Sequence, residues 1–253
     1  MQIAVEMAWI QTVLLVALRL AATLALTPVL AITGMSAHLR VFFILALAVT
    51  LSSALAVPPV PVLSMGALIV AGLSELVLGA LLAFGLFTAF AAFQLAGRMM
   101  DLQMGFGIAS LIDPATHKQA PLLGTLLNMI AVAAFFAVNG HHLLIQGLAF
   151  SLARLPPGMP LGELNYAAMV AQFGGMFVFA LALSAPVLVV LLLVDIAMAV
   201  VARTMPQVNV FIVSMPLKII VGLSVLIASM HFMGPLMAKV FEALFDYWQQ
   251  VIE

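Results

Sequence analysis

Glu75, Asp195 and Lys218 are charged side chains set inside long apolar runs. An ionisable group in such a setting either relays protons or ions, or ties helices together through a buried polar contact. Glu75 shares an i+4 row with Ala67, Ala71, Gly79 and Ala83. Small residues in a row let helix backbones approach closely, so this row turns Glu75 toward a neighbouring helix rather than lipid. Both a relay and a polar tie between subunits fit it, and the small-residue row favours the tie. Asp195 and Lys218 lie at matching depth, about eleven or twelve positions either side of a turn near Pro206-Gln207, if the segments flanking that turn form a hairpin. Pairing would then offset the cost of desolvating each. Arg203, about 12 Å of helix rise from Asp195, is a poorer partner and is expected as a further buried polar group.

Other reactive-looking residues carry less. His141-His142 are adjacent and point apart on a helix, and no third ligand has suitable spacing, so no metal is expected. The serines form no nucleophile motif. Gly105-Phe106-Gly107 follows no strand and lacks the Gly-Lys-Ser or Gly-Lys-Thr ending of a phosphate loop. There is no cysteine, which removes thiolate catalysis and Cys-based metal sites. No cofactor is implied, and a catalytic role is not expected of any residue. Met99, Met100 and Met104, among 17 methionines, could be ordinary core filling or a compliant seal, since methionine repacks easily.

The elements that must position these residues follow from charge. Charged residues make up 7% of the 253 and AVILMFWYC residues 66%, against roughly 25% charged in an ordinary soluble domain. So few charges cannot cover a water-exposed surface; lipid or other apolar protein must do so. Residues 41–74, 76–97, 119–153, 164–194 and 219–238 contain no Asp, Glu, Lys or Arg, and about 20 apolar residues suffice to span the hydrocarbon core as a helix. Period-2 alternation is absent, which leaves helices rather than a barrel. The chain therefore reads as an all-α membrane protein. Net charge is −1, with no basic stripe for nucleic acid. Glu6 in place of a basic n-region makes the first run a retained helix rather than a signal peptide.

Helices are expected over 7–26, 41–57, 63–100, 122–138, 143–155 and 166–203, with a last one starting at Val210 or Pro216 and ending near 232. An amphipathic tail, 235–253, follows. Pro58-Pro59-Val60-Pro61, Asn139-Gly140 and Pro156-Pro157-Gly158 are the breakers. The helices over 63–100 and 166–203 are longer than one crossing needs. On a six-crossing count, positive charges put the N-terminus outside by four against two, and a break at Asn139-Gly140 changes the parity of the crossings that follow. A proton-coupled or solute transporter with a midplane site at Glu75 and Asp195 is one reading of these features.

Four stretches in order point elsewhere. Gly97-Arg98, Leu102-Gln103-Met104-Gly105-Phe106, Ile108-Ala109-Ser110 and Asp113-Pro114 form the first. Pro121-Leu122-Leu123-Gly124 with Leu127-Asn128, then Asn139-Gly140-His141, then Arg203, Pro206-Gln207, Asn209-Val210-Phe211 and Pro216-Leu217-Lys218 complete the set. Together they resemble the FliR family of flagellar biosynthetic proteins and, more distantly, its type III secretion counterparts, over essentially the whole chain. That resemblance implies a non-catalytic core subunit of a type III protein export gate in the bacterial inner membrane, within the flagellar basal body. It implies one copy joined to FliP-like and FliQ-like subunits in a helical cone lying largely on the periplasmic side, through which unfolded substrates pass. Residues 1–164 would be the FliP-like portion and 165–253 a FliQ-like helical hairpin with its tail. The loop at 105–121 would plug the channel, through Gly105, Phe106, Gly107, Ile108, Leu111, Ile112, Asp113 and Pro114. Relatives often carry aromatics where this chain has Ile108 and Leu111. Met99, Met100 and Met104 would lie near the seal, and Glu75, Asp195, Lys218 and Arg203 would be buried between subunits.

Overall fold

The computed structural model describes residues 2–25, 36–106, 121–159, 165–207 and 209–252. Among these every regular element is an α-helix, with no strand: α1 (Gln2–Ala25), α2 (Ala37–Ala54), α3 (Met65–Met104), α4 (Leu122–Ala137), α5 (Gly140–Arg154), α6 (Tyr166–Thr204) and α7 (Val210–Ile252). Five of these helices are long and apolar enough to cross a membrane, or up to six spans if α4 and α5 together make one. The all-α membrane fold expected from composition is what the chain adopts.

Local chemistry sets the ends. Ser36 caps α2, its hydroxyl accepting from the Leu39 N–H, so the helix starts earlier than the apolar run alone suggested. Ala56, at φ 45°, stands between the end of α2 and the proline-rich segment. Asn139 adopts the left-handed conformation between α4 and α5, and α5 resumes at Gly140, three residues before the expected start. Asn139 belongs to the few residue types that tolerate this geometry. The largest departure is at the C-terminus. α7 runs unbroken from Val210 through Pro216 and Pro235, where the start was open between Val210 and Pro216 and an end near 232 with a separate tail from 235 was expected. A proline inside a helix removes one N–H bond, and apolar helices absorb that through neighbouring contacts.

Two compact units can be distinguished. The first comprises 1–88, 139–172 and 242–253, the second 89–138 and 173–241. Each draws on residues from both sides of the 164/165 boundary. In the first unit α1 buries Leu15, Val16 and Leu20 completely, and Leu15 packs with Val60 and Ala71. Gln11 and Thr12 of α1 hold the 58–64 segment: the Gln11 amide accepts from Leu63 N–H and the Thr12 hydroxyl from Val60 N–H, both at 2.9 Å. The final turns of α7 dock here by side chain to backbone bonds. Tyr247 Oη donates to Leu81 O at 3.1 Å and Trp248 Nε1 to Leu82 O at 2.9 Å.

The second unit has an aromatic core. Phe241 lies 5.3–5.8 Å, centroid to centroid, from Phe90, Phe93 and Phe135. Edge-on and offset rings at such distances add to their area burial.

Candidate functional site

The first polar cluster belongs to the first unit. Arg19 of α1 and Glu75 of α3, each in the middle of an apolar helix, meet with Arg19 Nε donating to Glu75 Oε2 at 2.6 Å, side chains 1% and 0% exposed. The remaining guanidinium nitrogens are also used. Nη1 donates to the carbonyl and hydroxyl of Ser151, both at 3.0 Å, and Nη2 to Leu155 O at 2.8 Å. Glu75 Oε1 accepts from the Gly158 N–H at 3.1 Å. Gly158 has φ +82°, a conformation other residues avoid, and a Cβ there would press on Val60 at 3.2 Å. The cluster therefore binds α1, α3, the end of α5 and the turn that follows it. A buried charge pair is tolerable only when its spare donors and acceptors are satisfied in this way.

The small-residue row operates at this contact. Gly79 lies so close to α1 that a Cβ would sit 2.5 Å from Arg19 O and 2.6 Å from Ala22 Cβ, and its carbonyl accepts from the Thr23 hydroxyl at 3.2 Å. The neighbour that Glu75 was expected to face is thus α1 of its own chain, not another subunit. Arg19 was visible in the sequence only as a lone charge in the first helix. Two solitary opposite charges in separate apolar helices were the signal for the pair.

The second cluster lies in the second unit. Lys218 Nζ of α7 is 2.5 Å from Asp195 Oδ1 of α6, the pairing that a hairpin between these helices places at one depth. Gln103, near the end of α3, donates from Nε2 to Asp195 Oδ2 at 3.0 Å. The group is partly accessible, with Lys218 21% and Asp195 36% exposed. Arg203 is not with them. Expected as buried, it is exposed on this chain in the last turn of α6, where a cation complements the helix dipole.

The third cluster has no precedent in the sequence reading. Asp101, 4% exposed, accepts from Leu123 N–H at 3.0 Å (Oδ1) and 3.1 Å (Oδ2), and from Gly124 N–H at 3.3 Å. It caps α4 across the residues that separate the two helices. No local pattern announces a cap 22 residues away.

Met100 and Met104 are fully buried within the chain. Met104 fills the notch left by Gly222 of α7, where a Cβ would meet its side chain at 2.5–3.0 Å. They pack here as core, a role the sequence left open beside that of a seal. Met99 is half-buried, and its Sδ lies 3.9 Å from the Ser184 hydroxyl, a weak contact. Gly105 and Phe106 are half-buried at the end of α3, Gly105 with φ +90°. The remaining expected plug residues, Gly107, Ile108, Leu111, Ile112, Asp113 and Pro114, lie outside the described residues.

Chemically, these clusters hold helices rather than transform a molecule: in each, the charged oxygens face donors of the chain itself. The profile of the family described as bacterial export proteins, family 1, matches residues 10–244. The chain is similar to the flagellar biosynthetic protein FliR of Bacillus subtilis, 35% identical over 94% of this chain and 93% of that protein. It is similar to the FliR of Escherichia coli, 31% identical over 97% and 94%. A shorter likeness, 30% identical over 57% of this chain and 56% of the relative, is to the Yop proteins translocation protein T of Yersinia pestis.

Proposed function

The chain belongs to the bacterial export proteins, family 1, and from that premise we propose that it is a core, non-catalytic subunit of a flagellar type III protein export gate in the bacterial inner membrane. It works with other export components. In the finer form of this proposal those are FliP-like and FliQ-like chains, joined by one copy of this chain in a cone largely on the periplasmic side. Residues 1–164 take the FliP-like role and 165–253 the FliQ-like hairpin.

One observation carries the partnership. Along α6 large apolar side chains are exposed from Tyr166 through Val170, Phe177, Leu181, Val189, Leu192 and Ile196 to Val200. At 1.5 Å per residue that is roughly 50 Å of apolar helix surface, whereas the hydrocarbon core of a bilayer is about 30 Å thick. Lipid cannot cover a helix of that reach lying along the membrane normal. Apolar faces of unlike chains can, and subunits of a gate supply them.

The loop at 105–121 then serves as the channel plug, with Met99, Met100 and Met104 at the helix end that carries it. Two glycines, the apolar Ile108, Leu111 and Ile112, and the bounding prolines suit a water-excluding constriction. Asp195 and Lys218 keep partial exposure for contact with a neighbouring subunit. A transporter working through Glu75 and Asp195 has no support: both oxygens of Glu75 are engaged within the chain, and the relatives are export proteins.

Mass measurement of the detergent-extracted assembly tests the proposal. One copy bound to unlike helical subunits is expected; a stable monomer or homodimer that moves a small solute in vesicles would refute it.

A further inference from the structure

α7 changes character along its length. From Val210 to Phe232 its large exposed side chains are apolar, among them Phe211, Ile212, Ile220, Ile227 and Phe232. From Glu242 to Ile252 every exposed side chain is an acid or an amide: Glu242, Asp246, Gln249 and Gln250. These four share one side of the helix by their spacing, while the opposite side is buried through Leu244, Tyr247, Trp248 and Ile252. Neither carboxylate has an ion-pair partner among the described residues.

Length indicates where this stripe lies. At 1.5 Å per residue the 43 residues of α7 reach roughly 64 Å, about twice the hydrocarbon core of a bilayer. The apolar-faced stretch 210–232 is on the order of 34 Å by itself and already fills that core. Two unpaired carboxylates further along belong outside it, because a charge in hydrocarbon must find a partner or reach water. α5 shares the level of the stripe. A Cβ at Gly147, in the middle of α5, would lie 2.4 Å from the Trp248 ring. The outward side of α5 carries His142, Gln146 and Arg154 beside Leu143 and Ile145, a mixture ordinary for a wetted surface. Its 15 residues are too few to cross a bilayer alone.

We propose that the last three turns of α7 and the outward side of α5 form one water-facing surface, open to an aqueous compartment rather than to lipid or an apolar subunit, and that α5 is therefore not the second half of a membrane crossing. The crossings are then drawn from the five long apolar helices, and the α4–α5 pair adds no sixth. The inference rests on membrane residence alone and stands whether or not the gate reading does.

The chain has no cysteine, so single cysteines report cleanly in the full chain in its native membrane. Asp246→Cys on the stripe, Gln146→Cys on α5 and Ile227→Cys on the apolar side of α7 are treated with a membrane-impermeant maleimide, in right-side-out and in inside-out vesicles. Gln249→Cys and His142→Cys serve where either of the first two fails to accumulate in the membrane. The reactive form is the thiolate, which water supports and hydrocarbon does not.

Asp246→Cys and Gln146→Cys should both label from the same side of the membrane, about tenfold faster or more than Ile227→Cys. Labelling of Asp246→Cys as slow as that of Ile227→Cys would overturn the proposal. So would labelling of Asp246→Cys without Gln146→Cys, or of the two from opposite sides, since α5 would then belong to a crossing. A spin label on the same cysteines should collide readily with a water-soluble nickel chelate. Collision with dissolved oxygen but not with the chelate would put the stripe in lipid, and collision with neither would put it under a neighbouring subunit; each result refutes the water-facing surface.

Discussion

Glu75→Ala should be among the most damaging single substitutions in the first unit. The carboxylate is the only anionic partner of Arg19 among the described residues, at 2.6 Å with both side chains essentially free of solvent. Its removal leaves the guanidinium with three neutral acceptor contacts, to Ser151 O, Ser151 Oγ and Leu155 O, and strips the Gly158 N–H of its acceptor. Breaking one side of a buried pair costs about 3–5 kcal/mol. For a chain of this length each kcal/mol moves the melting temperature by roughly 2–4 °C, so a fall on the order of 6–20 °C is expected. The assay is thermal unfolding of the detergent-purified gate complex, followed by loss of the intact species on size-exclusion chromatography. A companion variant, Arg19→Met with Glu75→Leu, removes both charges and keeps apolar volume. It should melt well above Glu75→Ala, because paired replacement of a buried ion pair by apolar side chains is often neutral or better. A shift under about 3 °C for Glu75→Ala, or a double variant less stable than the single one, would refute the assignment of this pair as the tie that holds α1 to α3.

Gly79→Ala should destabilise the same contact by about 1–3 kcal/mol, because the new methyl collides with backbone at Arg19 O. Gly66→Ala on the same helix meets open space and should be near neutral in the same melt. Lys218→Ala should cost the isolated chain no more than about 1 kcal/mol, since its pair is partly exposed and Asp195 keeps Gln103. The loss should be larger in the assembled gate if a neighbouring subunit covers the pair, and equal losses in both states would argue against that cover.

Of the site, the sequence showed which residues were anomalous but seldom whom they met. Asp195 and Lys218 could be placed together because a hairpin relates its two arms by counting from the turn, a local rule. Arg19 and Glu75 lie 56 positions apart with the whole of α2 and a proline-rich segment between them, and no counting rule crosses such a distance. Arg203 was expected among the charges buried between subunits by resemblance alone; on this chain it is exposed in the last turn of α6, a position from which only a neighbouring subunit could bury it. Asp101 went unremarked because a carboxylate near a helix end looks like any solvated acid until the N-terminus it caps is seen.

What the sequence determined by itself was the solvent and the class of fold. With 7% charged residues the chain can only bury or embed its surface, and apolar stretches of this length can satisfy their backbone only as helices. Breakers at 58–61, Asn139 and 156–158 then divided them nearly where the structure does. Tertiary structure alone decided the continuity of α7 through Pro216 and Pro235 and the partners of Arg19, Glu75 and Asp101. It also turned two methionines into core and joined the end of α3 to the start of α4 through Asp101. The physical reason is range: helix formation answers to residues within a turn or two, whereas the neutralisation of a buried charge depends on whichever distant segment packing brings within hydrogen-bond reach.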